Sequence, residues 1–322
     1  MTATTSLPEV APTGGTGPSH PAGTRGNTLL RLRESAADYV FYLPVLVVFV
    51  VLFAIPVVQS LYWSFTDFSV RSPEPEYVGF ANYGRIFNDS SMMTALWFTL
   101  AYTIGTTLIV TVLAIPLAVV LNRRFVGRNL VRSVFFFPAI PSIAVLGLVW
   151  GFILSPIGSG VLNTVLDAVG GLGPVPWLSD PQLAQLSVIL VGVWSQLGWH
   201  AILYLAYLQS IPSDLYEVAT IDGASRRQQF FTITLPLLTP AVTVSQLLLL
   251  TNGLKVYDLP FTLTGGGPGY ATYTMTQSII QRGIAQAEFG QASALAVVFM
   301  LIVGAVVLLQ LAVARRLEGR IR

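Results

Sequence analysis

The chain alternates between long apolar runs and short polar stretches. Six predominantly apolar segments stand out, approximately 39–62, 94–121, 133–154, 184–209, 236–256 and 291–314. Crossing the hydrocarbon core of a bilayer takes roughly 20 apolar residues in a helix, so each segment predicts a membrane span. The second, third and sixth contain no Asp, Glu, Lys or Arg. Pro44, Pro56 and Pro116 fall inside spans, where neighbouring helices can satisfy the freed carbonyls. The connecting stretches 63–93, 155–183 and 257–290 are rich in Gly, Pro, Asp and aromatics. The last opens YDLPFTLTGGGPG, whose consecutive glycines favour tight turns with positive φ. Residues 1–28 are rich in Thr, Pro, Gly and Ser without periodic apolar positions, which predicts disorder. With no apolar core near residue 1, no signal peptide is expected. The expected division is a tail at 1–36, the first span and its loop at 37–93, five spans enclosing a polar loop (212–235) at 94–314, and a basic tail at 315–322.

Composition supports an all-α integral membrane protein. The 322 residues are 53% hydrophobic and only 10% charged, against about 25% charged in soluble domains. The arginines then set the orientation. Thirteen lie before the first span, between the second and third, between the fourth and fifth, and after the last; the opposite loops hold only Arg71, Arg85 and Arg282. Positive residues stay cytoplasmic, so both termini and the 212–235 loop are expected inside. Trp63, Trp177 and Tyr77, on the outer side, suit interface anchoring or contact with an external partner. There is no cysteine, which excludes thiol catalysis and cysteine metal sites. His20 and His200 are too far apart in sequence to suggest a metal site, and no metal is expected. The single lysine, Lys255, lies in NGLKVYD, so the Gly-Lys-Ser/Thr ending of a Walker A phosphate loop cannot be built.

One polar stretch between spans is patterned: EVATIDGASRRQQFFTITLP, residues 217–236. Pro212 and Ser213 suit the start of a short helix with Ser213 at its cap. Asp214 and Glu217 fall in the first turn, where the helix dipole favours negative charge. Leu215, Val218, Ala219 and Asp222 recur at helical spacing. Gly223 ends this helix, and a second amphipathic piece, SRRQQFFTITLP, leads to Pro236 and the fifth span. Two short helices meeting at a glycine make a compact knob with too little core for an enzyme. It suits either an interfacial pair with Arg226 and Arg227 on anionic lipid or a docking element.

The knob resembles the signature of ABC importer permeases: Glu-Ala-Ala, three residues, Gly, nine residues, Ile, one residue, Leu-Pro. Glu217, Ala219, Gly223, Ile233, Leu235 and Pro236 match at that spacing, with Val218 in place of the first alanine. YVGFANYGRIF and LTGGGPG resemble the carbohydrate branch, the relatives of the maltose- and glycerol-phosphate-transporter permeases. The likeness runs from about residue 37 onward, without the extra N-terminal spans and large external domain of the maltose permease's larger subunit. It implies a type I ABC importer permease fold of six transmembrane helices in the bacterial cytoplasmic membrane, and a role in ATP-driven carbohydrate import. The implied partners are a second homologous permease, two copies of a cytoplasmic ATPase and an external sugar-binding protein; nucleic acid is not among them. ATP and Mg would bind the ATPase, leaving this chain non-catalytic and without a cofactor. The knob would be the coupling helix, seated in a groove of the ATPase. Glu217 would pair with a basic residue there, since a carboxylate at a partly buried interface is costly unless paired. Gly223 would permit the bend, and Ala219, Asp222 and Ala224 would support or line the contact.

A sugar path needs polar groups and aromatic faces on the bundle interior. In the fourth span Gly192, Ser195, Gln196 and Trp199 follow i, i+3, i+4, i+7 and share one helical face, which corresponds by resemblance to a sugar-lining face. The same residues also suit helix bridging and packing. Ser142, in FPAIPSIAV, resembles a pore serine, although its spacing from Pro138 differs by one residue. Asn252 and Gly253 lie in the fifth span, where the maltose permease uses polar side chains. Here the matching positions are Leu249, Gly253 and Val256, which implies a different substrate. His200 suits a pH switch or a hydrogen-bonded packing role. Lys255 and Asp258, three apart, suit a mutual pair. With no arginine cluster on the path, a neutral mono- or oligosaccharide is expected over a phosphorylated one. The alternative, an ion-coupled secondary transporter acting alone, usually carries acids deep in its spans and inverted repeats; the sequence shows neither, Asp38 and Asp258 lying at span edges. A scaffold without transport leaves the polar face of the fourth span unexplained.

Overall fold

A computed structural model describes residues 41–156, 160–171 and 174–319. The tail at 1–36, with His20, and the last three residues of the basic tail lie outside these. The described residues are helical apart from turns and two isolated bridges, Thr66–Tyr77 and Ser69–Ser72. The chain divides into two units, residues 1–57 and 58–322. In the first, residues 41–57 form most of helix α1 (Phe41–Trp63), with a π-helical stretch at Val50–Ala54. Within 41–57 the side chains are exposed apart from half-buried Ala54. So many Val and Phe residues make a poor helix in water, but in hydrocarbon a helix satisfies every backbone group internally.

The second unit is built around α3 (Ser90–Asn122), which packs on α7 (Pro181–Leu208) and on α10 (Thr239–Leu254). Helix α13 (Phe289–Glu318) packs in turn on α10. Carboxylates cap both long central helices. Asp89 accepts from the Ser91 N–H at the start of α3, and Asp180 from the Gln182 and Leu183 N–H groups at the start of α7. Small residues let these helices approach closely, as membrane packing requires. A Cβ on Gly192 would lie 2.5 Å from the Tyr102 hydroxyl, and one on Gly253 would lie 3.0 Å from Thr103. Three of the buried threonines of α3 satisfy themselves: Thr99, Thr103 and Thr106 donate to carbonyls four residues earlier.

The expected third span is not one straight helix. Helix α4 (Arg128–Phe136), extended by a 3₁₀ turn at Phe137–Ala139, and α5 (Ile143–Ile153) meet at 96°. Pro138 and Pro141 each remove a backbone donor and block a continuous ladder. Ser142 restarts the helix by accepting from the Val145 N–H. The fifth span likewise bends by 63° between α9 (Arg226–Leu237) and α10, at Leu238 between Pro236 and Pro240. Four straight helices and two bent pairs account for the six expected crossings.

Shorter helices finish the fold: α2 (Ala81–Asn88), α6 (Val161–Gly170), α8 (Asp214–Ile221), α11 (Asp258–Thr264) and α12 (Met275–Ile280). Gly265, Gly266 and Gly269 all take positive φ, as the glycine run predicted. Arg282 ties two loops together, pairing with Asp89 at 2.5 Å and Glu288 at 3.3 Å. The Asp89 carboxyl is held below its ordinary value, chiefly by the Ser91 hydroxyl; partial burial opposes this and the Arg282 charge reinforces it. Lys255 and Asp258 do not form the expected pair: among the described residues the only ion pairs are those of Arg282. Both side chains are exposed and gain more from water than from a loose surface pair.

Candidate functional site

Helix α8 and the first turns of α9 form the knob. Asp214 and Glu217 lie in the first turn of α8, as expected. Ser213 does not cap it: its backbone is already helical (φ −63°, ψ −30°) and its hydroxyl points to Asp214 at 3.4 Å. Gly223 ends α8 at φ +79°. Its N–H donates to the Thr220 carbonyl at 3.1 Å, and the Ala224 N–H reaches back to the Ala219 carbonyl at 2.9 Å. This pairing is a Schellman motif. Ala219, Gly223 and Ala224 are therefore the joints of one turn.

The knob is braced as a unit. Ser225 and Gln228 form a reciprocal capping box at the start of α9. Gln229 Nε2 donates to the Thr220 hydroxyl at 3.0 Å and to the Ala224 carbonyl at 3.2 Å. The Tyr216 and Thr234 hydroxyls meet at 3.0 Å. The outer face of α8 is apolar and acidic: Leu215, Val218 and Ile221 are 44%, 57% and 84% exposed, beside exposed Glu217 and Asp222. An apolar stripe with carboxylates on a rigid two-helix projection has the form of an interaction site.

The proposed path residues do not stay on one surface. Gly192 and Ser195 are buried in the bundle, Gly192 against Tyr102 of α3, with Ser195 Oγ donating to the Gly192 carbonyl at 2.8 Å. Gln196 is half-buried and Trp199 is 42% exposed. Gly253 is buried against Thr103, while Asn252 and Ser142 are exposed. His200 is buried and its Nδ1 lies 2.7 Å from Ser245 Oγ, a link between α7 and α10 that fits the packing role.

Residues 110–322 match the family described as the binding-protein-dependent transport system inner membrane component. The chain belongs to that family. The matched region contains the knob and the α7–α10 pair. The chain is 31% identical to the probable starch degradation products transport system permease protein AmyD of Thermoanaerobacterium thermosulfurigenes, over 87% of this chain and 94% of that one. It is 33% identical to the multiple sugar-binding transport system permease protein MsmF of Streptococcus mutans, over 90% and 99%. Among solved structures it is similar to a chain of a bacterial alginate ABC transporter, in complex with an alginate pentasaccharide-bound periplasmic protein. The TM-score there is 0.78 and the identity 25%, covering 89% of this chain and 97% of that chain. The six-helix inner-membrane permease fold expected from the sequence therefore holds.

In this inner membrane component, sequence reasoning missed the braces Tyr216, Gln229 and Thr234. Two of them join residues nine and eighteen apart across a turn, a separation without local periodicity. The Ser225–Gln228 spacing was a readable signal, since Ser-x-x-Gln is a capping box.

Proposed function

We propose that this chain is a non-catalytic membrane subunit of an ATP-driven importer for a neutral carbohydrate, with both termini in the cytoplasm. The observation that carries the reading is the braced knob, which holds Glu217 and the Leu215–Val218–Ile221 stripe outward at the positions of the importer signature. A rigid element that contributes little to its own bundle is suited to passing motion from a partner to the spans. A cytoplasmic ATPase, present as two copies, closes on ATP, and the knob transmits that closure through α9 and the bend at Leu238 into α10. The sugar class is supported by the similarity to AmyD and MsmF, and an external binding protein by the alginate transporter complex. Gln196, Trp199, Asn252 and Ser142, which reach the surface of the single chain, would be closed over by a second homologous permease to form the path. ATP and Mg belong to the ATPase in this reading.

The test is purification of the tagged chain from its native membranes in mild detergent, alongside Glu217→Arg. The wild type is expected to bring down an ATPase and a second permease; the reversed charge should lose the ATPase and keep the permease. A wild-type chain that purifies alone, with no associated ATP hydrolysis, refutes the importer reading.

A further inference from the structure

A cavity of about 360 Å³ opens where the C-terminal ends of α3 and α7 meet the base of the knob. Its size is at the lower end of small-molecule sites, roughly 300–1,000 Å³. Arg123, just past the end of α3, and Arg226, at the start of α9, both line it. Neither makes an ion pair among the described residues, and no carboxylate is among the lining side chains. Asn122 adds an amide and Tyr216 a hydroxyl, while Leu208 and Phe230 give an apolar wall. Two guanidiniums from different elements line one cavity without an ion pair and with neutral donors beside them, a set that suits a tetrahedral oxyanion, because each fork presents parallel N–H groups. The arrangement is selective within its own surroundings. Arg124 and Arg227, the immediate neighbours in sequence, do not line the cavity.

We propose that this cavity binds a phosphate ester, clamped between Arg123 of the bundle and Arg226 of the knob. Such a ligand bridges α3 to the hairpin and stiffens the base of the Tyr216–Thr234 brace, so its occupancy sets how freely the knob moves. The shared chemistry is a singly or doubly charged phosphate ester; its source is either an anionic phospholipid headgroup or a small soluble phosphate ester. The binding is a property of this chain alone and stands or falls separately from the importer reading.

The test uses the full chain in mild detergent, with R123Q/R226Q and, as a charge-matched control on the same segments, R124Q/R227Q. Native mass spectrometry counts retained phosphatidylglycerol against phosphatidylcholine, and thermal unfolding is followed with and without glycerol 3-phosphate. Retention of phosphatidylglycerol by wild type and control, with at least about a tenfold loss in R123Q/R226Q, assigns the site to a lipid headgroup. A raised unfolding midpoint with glycerol 3-phosphate in wild type and control, absent in R123Q/R226Q, assigns it to a soluble ester. R123K/R226K keeps the charge but not the forks and is expected to fall between. Equal loss in both glutamine doubles, wild-type retention in R123Q/R226Q, or no response of the wild type to either ligand overturns the proposal.

Discussion

Substitution of Gly223 by alanine isolates what the turn of the knob costs. The residue sits at φ +79°, and a Cβ added there meets nothing within 4 Å. Alanine therefore acts through its backbone alone, with no clash to confuse the result. Holding a non-glycine residue in the left-handed region costs roughly 1–2 kcal/mol. At 1.4 kcal/mol per factor of ten, that opens the turn about 5- to 30-fold more often. The amide to watch is Ala224, whose N–H is bonded to the Ala219 carbonyl at 2.9 Å and exchanges with solvent only when the turn opens. Hydrogen exchange of the purified chain should show Gly223→Ala losing protection at Ala224 by that factor. Gly223→Asn should lose less, because asparagine tolerates the left-handed region better than alanine. Under the importer reading, ATPase coupling should fall in the same order. Unchanged protection at Ala224 in Gly223→Ala, or asparagine worse than alanine, would refute the reasoning, because only the backbone preference separates them.

Three further outcomes follow from other sites. A Cβ on Gly198 would lie 1.8 Å from the Phe135 carbonyl oxygen, so Gly198→Ala overpacks a backbone contact. It should cost about 1–3 kcal/mol, read as a lower unfolding midpoint in detergent. Gly151→Ala, with open space around it, should show no loss. Asn163 accepts from the Val175 N–H at 3.1 Å and from Trp177 Nε1 at 3.0 Å. Its replacement by leucine leaves both donors without that acceptor, at about 1–3 kcal/mol, and should shift Trp177 emission to the red. The Asp89 carboxyl sits below its ordinary 3.8 in the folded chain. Its stabilising effect is therefore present above the unfolded value and lost as pH falls through the folded one. Limited proteolysis across that acid range should show the loops tied by Arg282 opening in wild type, with a flatter pH response in Asp89→Asn.

The spans and the knob were legible in the sequence because each is written in a local signal. Twenty apolar residues in a row have one economical use, and the fixed gaps from Glu217 to Pro236 survive without knowledge of neighbours. The break in the third span was not read because apolarity runs unbroken through Pro138 and Pro141, and hydropathy does not register a lost backbone donor. Ser213 failed as a cap for a related reason. Residue type suggested it, but the backbone at 213 is already helical, and a cap needs extended geometry to turn its side chain back.

The path residues expose a deeper limit. Spacing places Gly192, Ser195, Gln196 and Trp199 on one side of α7, yet it cannot say which neighbour that side meets. The α3 contact covers Gly192, through Tyr102, and leaves Trp199 open. Helix α7 stays packed with α3 to its C-terminal end, where Leu205 and Leu208 share a core cluster with Ala118 and Leu121, so sharing a side with Gly192 does not by itself decide burial. Under the importer reading this has a physical consequence. Gly192 serves close packing, where a side chain would strike the Tyr102 hydroxyl, and substrate contact passes to Gln196 and Trp199, the pair still reachable from outside the chain. An aromatic face and an amide left half-open toward hydrocarbon are costly for one chain in isolation. A second bundle seated there removes that cost, so the groups that make the single chain look unfinished are those best placed to meet the sugar.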